Sequence, residues 1–526
     1  MLLFTMERSF PLEDSYQVDP DSGKISVYAG PPLSTCIRIR SHPYKRLSMA
    51  LTYEKDAGEL FMYRNKPQFL SAYLSYQGKR FIKQLVVGNF KLNQGMGLVN
   101  GSGFIHRAGD FRVNQQSLSK IRPYASKSES MYEQGGVCKM GTKSLHLLMW
   151  VSYHRMALSP AAFSENPLGD KWLDYQRTSG LYRTQSEIEG RDLAYRIHTG
   201  IQLLYTYRKL SLGIMNGVEW TGPTNIAKIQ LKEEPRATMF RKVSLHGNWS
   251  KHKFQLFGEL AANQYSSLAF LLGGQFNFND FVQGSLLLHH YGDEYHGSLP
   301  SSYGSGSAIK NEQGLAFNLH VETGKFITAE LTAEVFRYPM PRYLTNVPSG
   351  AYRLDLSLQN PGSQVLEWRI RLFSKTWQST PADENSSLRP LQDHRVTRFD
   401  GQLVYNHRDQ FKWQSRLVVG YSSKKLRSAP AYAAVQQIRL ASSVKLRLSA
   451  QVVLFHVREW ENRIYLYEPG FYYSFSFPVY YGSGQRTTLL LTYKPTSGIT
   501  VSSKLSVITK SGNKLWDAGV QLKLDL

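Results

Sequence analysis

Three pairs of basic residues, Arg38 and Arg40, Arg369 and Arg371, and Lys445 and Arg447, are each spaced two apart. In an extended chain that spacing puts both members of a pair on one face, where they could hold or guide an anion. His289-His290, followed by Asp293, Glu294 and His296, offers ligand types for a divalent metal. Adjacent strand residues point to opposite faces, however, so the two imidazoles would not share one ion. Glu330 and Glu334 would share a face, but four residues of strand separate them by about 13 Å, too far for joint acid–base work. Gly95-Met96-Gly97 and Gly101-Ser102-Gly103 are not followed by a helical pattern, which argues against a dinucleotide fingerprint or a phosphate loop. Those glycines better suit close backbone packing, either in a loop folded inward or in a plain surface loop. No nucleophile or cofactor signature stands out, so neither enzyme activity nor a cofactor is expected.

The elements that must position these residues alternate apolar and polar with period two, the signature of strands with one apolar face. Leu315, Phe317, Leu319 and Val321 interleave with Ala316, Asn318, His320 and Glu322; beyond Gly324, Ile327, Ala329, Leu331, Ala333 and Val335 interleave with Thr328, Glu330, Thr332 and Glu334. The two stretches form a tight hairpin. Leu366, Trp368, Ile370 and Leu372 alternate with Glu367, Arg369 and Arg371, and Leu446, Leu448, Ala450 and Val452 with Arg447, Ser449 and Gln451. Many such strands run to about 10–13 residues, near the length needed to cross a bilayer at a tilt. Connections alternate between tight turns, as at Gln77-Gly78-Lys79 and Arg208-Lys209, and long loops at 92–128, 155–189, 221–237, 292–310, 338–350 and 378–393. This phase holds to about residue 443 and is lost near 457–483. Tyr63, Tyr76, Trp150, Tyr153, Trp220, Tyr338, Trp377 and the run Phe471–Phe477 cluster near strand ends, as in interfacial girdles. An alternating strand closes the chain at Leu526.

The 526 residues contain no apolar run long enough for a transmembrane helix, so a membrane span must be built from strands. No linker divides the chain. The expected fold is therefore all-β: one transmembrane, antiparallel, up-and-down β-barrel of roughly 22–26 strands over residues 1–526, with long outer loops and short periplasmic turns. Residues 92–128 are expected to be a Gly-rich, non-strand segment, either a plug or a large loop. Cys36 and Cys138, the two cysteines, lack any partner motif and are expected to be buried or lipid-facing. No export signal is visible after Met1, which points to a mature or truncated form of an outer-membrane protein or to a wrongly placed start.

The stretch from Gly88-Asn89-Phe90 through Gln94-Gly95-Met96-Gly97 to Gly103-Phe104, followed by Ile121-Arg122-Pro123-Tyr124 and Glu129, resembles a block in barrel proteins of the Bacteroidota. Those proteins are usually named for a helix-hairpin-helix segment preceding the barrel. Arg8–Leu12, Thr52–Glu59 and Ile464–Glu468 resemble the same family. The resemblance spans about residues 8 to 482 and implies fold and location; its motifs carry no chemistry. The family has aromatic residues where Gln94 and Gly101 stand. Its helix-hairpin-helix part, the element with a suggested DNA-binding role, has no counterpart here.

A formal charge of +23 implies anionic partners: solutes in a basic lumen, lipopolysaccharide at the rims, or DNA. The leading expectation is a passage or transport component with a basic lumen, partly plugged by the segment holding Gly95, Gly97, Gly101, Gly103, Arg122 and Tyr124. A non-conducting surface binder or scaffold, in contact with other envelope proteins, is the alternative, and an outer-membrane hydrolase the least supported.

Overall fold

A computed structural model of the protein describes residues 1–11, 16, 27–102, 118–159, 176–224, 238–306, 308–324, 327–343, 345–360, 365–380, 390–423, 430–441 and 445–525. Twenty-four strands form a closed antiparallel barrel, beginning with Leu2–Phe10 and ending with Asn513–Leu524. Each strand pairs with its chain neighbour. The last then pairs with the first, from Leu2 opposite Leu524 to Phe10 opposite Trp516, so the wall has no open edge. Wall strands run from nine to sixteen residues. Two short strands join the same sheet, Ser119–Pro123 and Gln176–Arg177. Among the described residues the α-helix is a five-residue piece, Gln185–Glu189, capped by Thr184 and Glu187.

The alternation seen in the sequence becomes an inside and an outside. Leu315, Phe317, Val335, Leu354, Leu372, Leu417 and Leu454 are exposed, whereas Asn318, His320, Thr332, Glu334, Arg353 and Gln451 are buried. A water-soluble sheet would show the reverse; here the outer face meets hydrocarbon and the inner face a polar interior. Tyr44, Tyr76, Tyr207 and Trp249 stand exposed toward the tight-turn end, and Phe10, Tyr153, Tyr352, Tyr421 and Trp516 toward the other, giving two aromatic girdles. Trp150, Tyr338 and Trp377 do not join them. Their parity points them inward, where Trp150 donates to His198 at 3.3 Å, Tyr338 donates to Ser305 at 2.6 Å and Trp377 packs on the inner core.

Most tight turns and both chain ends gather at one end of the barrel, and the long connections at the other, together with the short turns at 264–267 and 511–512. Phase is kept to the end of the chain because residues 458–481 are one connection, not wall strands. The 92–128 segment differs from expectation in part. Residues to Gln94 belong to the strand Ile82–Gln94, and Ser119–Pro123 is itself a strand on Phe90–Gln94, where the wall partner beginning at Glu133 no longer covers that edge. Both cysteines are free; Cys36 is buried facing inward, and Cys138 lies on the outward parity of its strand.

Leu245 lies mid-strand in Thr238–Lys251 and is 56% exposed to the outside. Leu245→Arg is expected to destabilise the barrel by about 2–4 kcal/mol, the cost of a cation at the bilayer midplane. Ser357→Arg, inward and opposite Glu330, should cost far less. Urea unfolding in lipid vesicles, followed by loss of heat-modifiable migration, measures both.

Candidate functional site: the lumen and its in-folded segments

The basic pairs lie on inward parity but in three separate places. Arg38 is buried, donates to Thr52 at 3.1 Å, and together with Arg40 stacks on the Tyr473 ring at 5.1 and 4.9 Å. Arg369 donates to Gln402 at 3.3 Å, while Arg371 grips Asp355 through Nε at 2.8 and 3.0 Å and also through Nη2. Lys445 sits at a tight turn with its carbonyl accepting from Lys494, and Arg447 lies further in, lining a cavity. The lumen is not uniformly basic. Arg353 pairs with Glu334 at 2.8 Å and Arg416 with Asp400 at 2.6 Å, which repeats across neighbouring strands the compensation seen at Arg371.

The other candidates are partnered individually. His289 faces inward, 2.9 Å from Glu312, and His290 faces outward, stacked on Phe270, so they hold no common ligand. Glu330 accepts from Asn318 at 3.1 Å, apart from the Glu334–Arg353 pair. A buried cluster not picked out in the sequence centres on Glu133, which accepts from Ser152 at 2.6 Å and lies 2.7 Å from His198 and 3.4 Å from Arg196. Ser152 turns to the carboxylate and the His198 carbonyl, not to an imidazole nitrogen, so no nucleophile–base pair forms. Only the register of three strands assembles it. An open cavity of about 520 Å³ lies beside it toward the long-loop end, lined by Arg196, Glu219, Lys242, Asp293 and Glu294 among others.

Two connections fold back against the inner wall. In the first, Gly95 to Ser102 lie beside residues 297–301: Gly101 donates to the Leu299 carbonyl at 2.8 Å, Leu299 to Val99 at 3.1 Å and Ser301 to Gly97 at 3.0 Å. Leu98 and Val99 are fully buried among inward wall residues such as Trp150, Met215 and Leu287. The carboxylate of Glu259, on the wall, accepts from the backbone N–H groups of Met96 at 2.6 Å and Leu98 at 3.1 Å. Glycine is required for this approach. Gly95 and Gly97 have φ of +55° and +85°, and a Cβ would stand 2.7 Å from the Glu259 carboxyl or 2.3 Å from the Ser301 carbonyl oxygen. Gln94 is also buried, linked to Asn100 at 2.7 Å and to Gln202 at 3.4 Å. Tyr124 stacks on Tyr132 at 5.1 Å, Arg122 is exposed, and Gly103 lies outside the described residues.

Residues 458–481 form the second. Ile464–Tyr465 pairs with Val479–Tyr480, and Ile464, Leu466 and Tyr480 pack on Val418, Val435, Val453 and Phe455 of the wall. Glu468, fully buried, accepts from Arg486 at 2.5 Å, Thr488 at 2.6 Å, Lys504 at 2.8 Å, Ser476 at 3.0 Å and Ser506 at 3.2 Å. Gln521 clamps the Tyr472 backbone from both sides, its oxygen accepting at 3.0 Å and its nitrogen donating at 3.1 Å. The aromatic run Phe471–Phe477 therefore belongs to this segment and not to a girdle. Burial alone would raise the Glu468 carboxyl, but the Arg486 hydrogen bond and the charges of Lys504 and Arg486 outweigh it and hold it at about 2.

Neither a protein-family model nor a curated protein matches the chain. Among solved structures it is similar to the siderophore receptor PirA from Pseudomonas aeruginosa, with TM-score 0.48 and 9% identity over 100% of this chain and 80% of that one. It is similar also to the copper transporter OprC, with TM-score 0.45 and 9% identity over 99% of this chain and 80% of that one. OccK11 (OpdR) of Pseudomonas aeruginosa aligns with TM-score 0.31 and 8% identity over 72% of this chain and 94% of that one. Likeness at this level carries no ligand from one barrel to another.

Because the Glu468 carboxyl is depressed in the folded state, its stabilisation is full above the unfolded value, near 4.3, and is lost as pH falls through about 2. A spin label at Phe475 should report unchanged docking from pH 7 to 5 and release between about 4.3 and 2. Glu468→Gln leaves Lys504 without a carboxylate and Arg486 with Asp517 alone, and should loosen the segment at every pH, by about 3–5 kcal/mol.

Proposed function

We propose that the protein is a gated passage for solutes in an outer membrane. The supporting observation is the tethering of both in-folded connections to the inner wall through buried polar contacts, Glu259 holding residues 95–98 and Glu468 with Gln521 holding residues 458–481. A barrel of 24 strands encloses a lumen wider than side chains alone can fill, so such a wall must act as a channel or carry an obstruction. Here the obstruction is built from the chain's own connections. In this reading the segment that bears Gly95, Gly97 and Gly101 is one plug and residues 458–481 a second, lipopolysaccharide surrounds the outer rim, and the chain stands with the Bacteroidota barrels it resembles.

A second reading, capture of DNA or anionic glycolipid at the outer end, is favoured by the +23 charge and by cations on the long connections, such as Arg64, Arg183 and Arg191. Their stacking on Tyr63, Tyr28 and Tyr182 presents them on a preformed surface. Phosphate contacts would make such binding steeply salt-dependent, and dextran sulfate binding as tightly as DNA would reduce it to general charge attraction.

Planar-bilayer recordings test the passage. The intact protein should conduct little, Glu259→Ala should add brief openings, and replacing both residues 95–118 and residues 460–478 by short Gly-Ser linkers should give a large, steady conductance. A silent double replacement that still shows heat-modifiable migration would sink the reading.

A further inference from the structure

A cavity of about 220 Å³ lies between the wall and the second in-folded segment. The wall contributes Arg439 and Arg447 with the hydroxyls of Ser449, Thr492 and Ser502; the stretch Tyr467 to Tyr472 supplies the other side. Among the described residues no carboxylate lines it. Arg439 stands opposite Ser449 and Arg447 opposite Ala441, which makes the two arginines diagonal neighbours on the same inward face. Diagonal neighbours lie roughly 7–8 Å apart at Cα, so two long side chains can converge on one ligand. Lys412, opposite Arg439 on the next strand, adds a third positive charge.

These cations differ from the arginines of the lumen that are paired with carboxylates. Arg353, Arg371, Arg416 and Arg486 each meet a carboxylate on a neighbouring strand or on the in-folded segment. Among the described residues, Arg439, Arg447 and Lys412 form no ion pair and no side-chain hydrogen bond, and both arginines are exposed. Uncompensated guanidinium groups in a half-enclosed space favour any anion that can enter, and the planar fork of arginine matches two oxygens of a carboxylate or phosphate. The cavity is smaller than the 300 Å³ or so at which drug-sized ligands begin to fit. It admits one small polyatomic anion with water and excludes a nucleotide.

We propose that this cavity binds a small oxyanion, a phosphate or a carboxylate, gripped by Arg439 and Arg447 and seated by the hydroxyls of Ser449, Thr492 and Ser502. The site gives the proposed passage its solute class and rests on that reading for its purpose, although binding itself requires only the folded barrel. Its far side is the stretch anchored by Glu468 and by the Gln521 clamp on Tyr472, so the site exists only while the segment is docked.

Isothermal titration of the full chain in detergent, with inorganic phosphate and separately with succinate, tests it. Saturable binding of at least one of the two, without saturable binding of chloride, is expected; the tighter of the two identifies the physiological chemistry. Arg439→Ala and Arg447→Ala should each weaken binding at least tenfold, and Arg447→Lys should recover part of the loss. Heat-modifiable migration confirms that each variant is folded. No saturable binding of either anion, or unchanged affinity in the Arg439→Ala/Arg447→Ala double variant, overturns the site. Bilayer recordings of the same proteins separate the two ideas: binding without conductance from the linker-replaced form refutes the passage and leaves the site standing, whereas conductance without binding does the opposite.

Discussion

In hydrocarbon a peptide group has no water to fall back on, so every N–H and C=O of a spanning segment must find its partner within the protein. A sheet meets this demand only when it closes, and the pairing of Leu2–Phe10 with Asn513–Leu524 closes it here. The other features of the wall follow from that ring of bonds. Once each strand is fixed between two neighbours, its side chains have two destinations, lipid or lumen, and a shift of one residue would exchange them all. The apolar face of each strand is therefore held outward by lipid and by register together.

Closure at 24 strands settles the second problem as it solves the first, because the ring becomes too wide for inward side chains to meet across it. Polar groups on the inner face are satisfied locally instead, by ladders such as Glu334–Arg353, Asp355–Arg371 and Asp400–Arg416. Two connections lie against the inner wall. The two in-folded segments are held by different physics. Residues 95–102 are seated by an apolar core and by one carboxylate that collects backbone N–H groups. Residues 458–481 carry their own carboxylate into a nest of wall cations and hydroxyls. The first contact is mainly one of shape; the second is mainly one of charge.

The wall was largely legible because period-two alternation is local, and the long and tight connections punctuate it. Parity alone would have sent Trp150, Tyr338 and Trp377 inward, since Val151, Val335 and Leu372 face lipid; aromatic enrichment near strand ends was the weaker guide. Arg439 was open to the same logic, flanked as it is by outward Ile438 and Leu440. Ion pairing was not legible. Asp355 and Arg371 meet across a register that depends on the length of the turn between their strands, so a pair that reads as basic in the sequence is partly compensated in the barrel. The stretch 458–481 resisted for another reason: it is extended, aromatic and bounded by strands, yet it makes its bonds to the inside of the wall, and strand periodicity cannot separate a wall strand from a hairpin laid against it.

Charge compensation thus divides the lumen more sharply than charge itself. A guanidinium bonded to a carboxylate on the next strand presents little net field to a passing ion and serves to fix register. One without such a partner keeps its field and can offer it to an anion in a half-enclosed space. The wall has carboxylates where compensation is wanted, at Asp355, Asp400 and Glu334, and has Gln437, Ser449 and Gln451 around Arg439 and Arg447. Neutral donors and acceptors in those positions leave the cations available while keeping their neighbourhood polar. If register alone were being served, a carboxylate opposite Arg439 would do it better than Ser449, and that substitution would cancel positive charge that now stands against a cavity.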